Sequence, residues 1–327
     1  MRTSSWKLER YGKLVLNTKE EEIAQGDRFF EEFGPGNLLE TTDRPFERFT
    51  DYEVLLREML KKDTNKYRQI HKAAPFYFLG WTAFDLRNYE KALFYLDAAM
   101  SEDIRNAPDW LSNPAARFLT LKEPEDQVSK RVVMHIRVAL DAEITRFNAV
   151  SGLPSLTLEA LINGLFSLIS DTKKRTVITA FCTFVLEFQD RYEDLQLRSV
   201  EGGSVEPFLT HMFKGALIFE ALLKVLYPVD PRASLSDVFK APSFRWDFAL
   251  TDIRTSANSL LDVLSAATGE DMKTAFSVTA MIRNTAGHNL VRDDIFADEK
   301  NYRLLFSLEM DALLYLIRLK LATQPGP

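Results

Sequence analysis

The chain has 327 residues, 41 Lys and Arg against 47 Asp and Glu, a net charge of −6 and a hydrophobic fraction of 46%. That is the composition of an ordinary globular protein of two or three domains; its acidic balance excludes a globally basic protein that coats nucleic acid, though not an enzyme that meets nucleic acid at one local site. No apolar run approaches the roughly 18 residues of a membrane span, the start Met1-Arg2-Thr3-Ser4-Ser5-Trp6-Lys7 has no signal-peptide core, and the single cysteine excludes an intrachain disulfide framework or a cysteine-based zinc site, so a cytoplasmic protein without a membrane is expected.

Residues 1–16 say little, although Leu14, Val15 and Leu16 have the composition of a short strand. Asn17 and Glu20, ahead of Ile23 and Phe29-Phe30, form a capping box that opens a helix, and Gly34-Pro35-Gly36 ends it. Residues 35–49 read as loop. Thr50 and Glu53 make a second box, followed by Leu55, Leu56, Met59 and Leu60 on one helical face.

Phe76, Leu79, Gly80, Tyr89, Ala92 and Ala99 sit at the spacing of a tetratricopeptide (TPR) repeat. Small residues at Gly80, Ala92 and Ala99 let two antiparallel helices approach, Phe76 and Tyr89 fill the space between, and the turn falls at Asp85-Leu86-Arg87-Asn88. One repeat cannot bury its face alone, so its neighbours must pack on it as a TPR-like helical array would. Any helical hairpin remains the plainer alternative.

Pro124 opens a helix with the stripe Val128, Val132, Ile136, Ala139, Leu140, Ile144 and Phe147. Another runs from about Thr157 to Ile169. Residues 175–188 are rich in β-branched and aromatic side chains, which favour strand. Their length and charged continuation to Arg198 favour a buried helix, the reading adopted, with Cys182 as a packed core thiol. Glu201-Gly202-Gly203-Ser204 holds the sole Gly-Gly pair and is the expected domain boundary, dividing residues 1–200 from 204–322.

Beyond it, Ser204 caps a helix that stops at Tyr227-Pro228. A second helix is expected over about Phe244 to Ala267, a third over Asp271 to Ala286, and a fourth over Asp298 to Ala322. Four amphipathic helices with short connections predict an antiparallel bundle. The third ends in Met281-Ile282-Arg283-Asn284-Thr285-Ala286-Gly287-His288, where an arginine and a histidine flank a glycine break.

That stretch resembles the R-x4-6-H motif of the HEPN family, in the form Arg-Asn-x-x-x-His. The resemblance covers about residues 204–322. It implies a four-helix bundle with the motif at the C-terminal end of the third helix. Phe219-Glu220-Ala221-Leu222-Leu223-Lys224 also looks like an acid-then-base pattern found in the first helix of several HEPN branches. The fold expected is therefore mostly α: an N-terminal TPR-like helical array and a C-terminal HEPN bundle.

The chemistry the motif carries follows from its residue types. Histidine titrates near neutrality and serves as general acid or base. Arginine stays charged and forks to two phosphate oxygens. One such set supplies a modest rate gain of about 10²–10⁴; in the family, dimerisation brings two motifs into one composite site. The resemblance then implies a metal-independent endoribonuclease that acts as a homodimer and leaves 2′,3′-cyclic phosphate ends, in phage defence or as a toxin. His288 would transfer protons, Arg283 hold the scissile phosphate and Asn284 orient groups, while Arg292 and Lys224 are candidate contacts to RNA. No cofactor or metal is expected. The N-terminal helices would bind a trigger or a partner protein. The absence of a β-α-β pattern argues against cyclic-nucleotide activation, and a nucleotidyltransferase antitoxin would have to be a separate chain.

Plainer readings stand beside these. Arg283 caps a helix C-terminus, Gly287 is an ordinary stop, Arg292 pairs with Asp293 or Asp294, and Glu220 and Lys224 are an exposed i, i+4 pair. His71, His135 and His211 read as ordinary, with His211 the nearest to the site. The rival for the whole chain is a non-catalytic TPR/HEPN module for protein interaction and dimerisation.

Overall fold

The computed structural model describes residues 45–322, apart from 107, 123–126, 170, 202, 228–229, 231, 251, 257–259, 261–262, 265–270 and 287–298. The expected strand at 14–16, the box at Asn17–Glu20 and the helix after it lie outside the described residues. So do Pro124, His288 and Arg292. Among the described residues every regular element is helical. No helix there is long and apolar enough to cross a membrane. The chain divides into two compact units between Val133 and Met134.

Unit 1 contains α1 (Pro45–Lys62), α2 (Thr64–Gln69), α3 (Ala73–Asp85), α4 (Tyr89–Asn106) and α5 (Pro114–Leu119). The first begins within the stretch expected to be loop. The α3–α4 hairpin forms where the small-residue spacing placed it. A Cβ on Gly80 would lie 2.8 Å from Leu96 Cγ and 3.0 Å from the Ala92 carbonyl oxygen, so the two helices approach to a distance only glycine allows. Arg87 takes a left-handed φ of 54° in the connecting turn. Glu53 of α1 accepts hydrogen bonds from Lys91 Nζ (2.8 Å) and Tyr95 Oη (2.7 Å) and so fixes α1 on α4.

Unit 2 takes in most of α6 (Gln127–Val150), then α7 (Leu158–Phe166), α8 (Thr172–Glu201), α9 (Glu206–Leu226), α10 (Leu235–Lys240), α11 (Pro242–Phe248), α12 (Met272–Ala286) and α13 (Glu299–Leu316), the last continued by a π-helical turn, Ile317–Leu321. The ambiguous segment 175–188 lies inside α8 and is helical. Four of these form an up-and-down bundle. His211 meets Tyr302 near one end of α9 and α13, and Tyr227 meets Lys320 near the other, so these two run in the same direction. Antiparallel to α9 runs α8, joined at Glu187–Lys214 and Arg198–Gly203. On the far side α12 meets α9 at Phe219–Phe276 and α13 at Phe276–Tyr315.

Two expectations for this region need correction. The bundle's fourth wall is α8, which precedes the Gly-Gly pair, so the turn at Gly203 lies within a compact unit and the contacts divide the chain elsewhere. The second expected helix also fails to form as one piece. It starts with Pro242, stops at Phe248, and leaves Ala249 (φ 50°) and Asp252 (φ 60°) left-handed. Residues 253–256 then follow as a strap without regular structure.

Buried on every side, α13 exposes almost nothing from Leu305 to Leu316. Phe147 of α6 packs edge-on to Tyr315. Arg146, also on α6, makes a two-pronged pair with the fully buried Asp311 (2.7 and 3.0 Å) and donates to the Ser307 carbonyl (3.0 Å).

Candidate active site

Glu220 and Lys224 stand one turn apart on α9, and Lys224 Nζ donates to Glu220 Oε1 at 2.8 Å. They are not an exposed pair: the Glu220 side chain is 9% exposed and faces α12. There Arg283 Nε donates to Glu220 Oε2 at 2.8 Å, with Nη2 at 3.5 Å from Oε1. Burial works against the Glu220 charge, but the hydrogen bonds from Arg283 and Lys224 prevail and hold its carboxyl below the ordinary range. Two cations share one carboxylate.

Asn284 completes the set. Its Oδ1 accepts from Arg283 Nη1 at 3.3 Å and its Nδ2 donates to the Thr255 carbonyl at 2.7 Å. A guanidinium has five N–H groups. Among the described residues, those on Nε, one on Nη2 and one on Nη1 are engaged, and one on each Nη has no partner. The Arg283 side chain is 40% exposed. Among the described residues the geometry is a charged fork held by its inner edge, with no partner on its outer edge, the arrangement suited to two oxygens of a phosphate.

The strap contributes a second arginine. Its backbone is tied to α12 twice, through Asn284 and through the Arg254 N–H, which donates to Ser277 Oγ at 3.1 Å. Side chains of α12 thus satisfy strap groups that a helix would have satisfied internally, which is why the irregular path competes with the expected helix. Exposure alternates along it: Asp252, Arg254 and Ser256 face out, while Ile253 and Thr255 are half-buried.

Of the residues expected at the site, Arg283, Asn284 and Lys224 come together; His288 and Arg292 lie outside the described residues. Glu220 was legible only as a pattern. Arg254 was missed because a continuous helix was expected there. His211 is not near the ion-pair cluster but closed into the bundle core. The Phe184 carbonyl can only accept, so His211 Nε2 carries the proton (2.8 Å) and Nδ1 accepts from Tyr302 Oη (2.6 Å). Burial pushes this imidazole down to about 3, so it stays neutral. Cys182 is buried and its thiol is pushed up to about 12 by burial. His71 bonds Asp103 Oδ1 at 3.2 Å in unit 1. Among the described residues no group of three His, Cys, Asp or Glu is placed to hold a metal ion.

Comparison with protein-family models, with curated proteins and with solved structures finds no match for this chain.

Proposed function

We propose that the chain is a metal-independent endoribonuclease of HEPN type, acting as a homodimer whose two motifs make one composite site. The observation that supports this is the Arg283 fork, held by Glu220 and Asn284, its outer edge without a partner among the described residues, in a sequence that supplies His288 five positions later. Arg283 binds the scissile phosphate and stabilises the charge that builds on it when the 2′-hydroxyl attacks. His288 moves the proton to or from the reacting oxygens. Asn284 orients Arg283, and Lys224 supports it through the shared carboxylate instead of reaching RNA by itself. The product carries a 2′,3′-cyclic phosphate. The close α3–α4 hairpin suits a TPR-like unit that binds a trigger or partner, and the setting is phage defence or a toxin.

A second reading is favoured by the same ion pair. Arg283–Glu220 ties α9 to α12 and would serve a non-catalytic interaction and dimerisation module equally well. Cleavage of single-stranded RNA in EDTA separates the two, using wild type, Arg283→Ala and His288→Ala with folding and mass in solution checked for each. The nuclease reading expects cleavage that both substitutions abolish. Folded dimeric variants that cut like the wild type refute the site.

A further inference from the structure

Arg254 is an exposed arginine whose position is set by its backbone. Its N–H is bound to Ser277 Oγ, and the carbonyl of the next residue, Thr255, accepts from Asn284, the neighbour of Arg283. The strap therefore sets Arg254 beside the Arg283–Asn284 pair with its backbone fixed. Its guanidinium forms no ion pair among the described residues. Asp252 lies two positions earlier on the same outward side of the strap and does not pair with it either. Glu220, the buried carboxylate that holds Arg283, is occupied by Arg283 and Lys224. A charged side chain with a positioned backbone and no counter-ion among the described residues, beside a second arginine whose outer N–H groups have no partner among them, is poised for a ligand with more than one anionic group.

Resting on the nuclease reading above, we infer that Arg254 is a substrate-binding residue of the same site: it contacts a phosphate of the RNA strand adjacent to the one held by Arg283. The strap thereby makes the site a two-phosphate clamp, selective for a chain of phosphodiesters over a single phosphate. Arg254 touches substrate but moves no proton, so its loss should act on binding more than on the chemical step.

The probe is a fluorescently labelled, 2′-O-methylated single-stranded RNA 12-mer, which the mechanism cannot cut, titrated with the full-length protein by anisotropy at several salt concentrations. Arg254→Ala should weaken binding about fivefold or more and flatten the dependence of log K on log salt by about 0.7, the share of one phosphate on a single strand. Arg254→Lys should restore most of the slope, because a point charge replaces the fork. Arg232→Ala, an exposed arginine on another loop, should change neither. Thermal melts check that Arg254→Ala is folded; its backbone tie to Ser277 does not depend on the side chain. Binding and slope unchanged in Arg254→Ala while Arg283→Ala loses affinity would overturn the Arg254 assignment and leave the nuclease reading standing. A wild type that does not bind the probe, or an Arg283→Ala that binds like it, would bring down both.

Discussion

Glu309 provides the sharpest test of the packing. It sits fully buried on α13, and neither carboxyl oxygen has a hydrogen-bond partner among the described residues. Gly215 of α9 makes room for it: a Cβ there would collide with Glu309 Oε2 and stand 2.6 Å from the Phe184 ring. Burial without a partner raises the carboxyl well above its ordinary range, so the folded bundle holds it protonated. The sign follows: the folded state binds the proton more tightly than the unfolded chain, so stability is fully present below the ordinary carboxylate range and falls as pH rises above it. While only the folded state holds the proton, the slope is about 1.4 kcal/mol per pH unit, or at most about 2.7 kcal/mol between pH 5 and 7. Glu309→Gln keeps the shape and removes the titration. Its buried amide costs stability equally at every pH, so the slope is diagnostic and the absolute stability is not. Urea unfolding followed by helical circular dichroism, at half-unit steps from pH 5 to 8, should show the variant gaining on the wild type as pH rises. Parallel stability curves would refute the buried neutral carboxyl.

Gly80→Ala should lose about 1–3 kcal/mol by calorimetry, because its Cβ meets the Ala92 backbone at 3.0 Å, and this outweighs the gain of about 1 kcal/mol in helix propensity. Glu220→Ala should cost about 1–2 kcal/mol in chemical denaturation, below the range for a fully buried pair because Arg283 and Lys224 are part-exposed. The Glu220 contribution is present above the ordinary carboxylate range and disappears as pH falls through its depressed folded value, so wild type and variant should converge in acid. Cys182 should resist a thiol-specific reagent in the native protein and react at once in denaturant, since its thiol is buried and pushed up to about 12; fast native modification would contradict its place in the core.

Helices with one apolar stripe were legible. The third and fourth bundle helices, the α3–α4 hairpin and the stop at Tyr227 fall where periodicity, small residues and proline put them. Segment 175–188 was harder because it is apolar all round, and periodicity distinguishes strand from helix poorly in such a run. The boundary at Gly202-Gly203 was misplaced for a related reason. A glycine pair marks a turn, but whether the flanking helices separate or fold onto each other depends on partners such as Glu187–Lys214, which no local pattern shows. The strap was invisible because what stabilises it, Ser277 and Asn284, lies more than twenty residues further along the chain. At the site, Arg283 and Asn284 were legible as a motif, whereas the carboxylate that aims Arg283 showed only as a faint spacing on another helix.

The carboxylates inside unit 2 explain why the fork at Arg283 has one orientation. Asp311 is matched by Arg146 from α6, Glu187 by Lys214 from α9, and Glu220 by Arg283 from α12 with Lys224 from its own helix. In each case the cation crosses between helices, so each pair fixes a helix-to-helix register as well as a charge. Glu220 is held by two cations, one from α12 and one from its own helix. Lys224 contributes one of the charges that hold the carboxylate ionised, so Arg283 need not turn both edges inward to satisfy it. Asn284, tied to the strap, holds the guanidinium from the side. Among the described residues, the edge of Arg283 left without a partner keeps a fixed direction, beside a strap that carries Arg254.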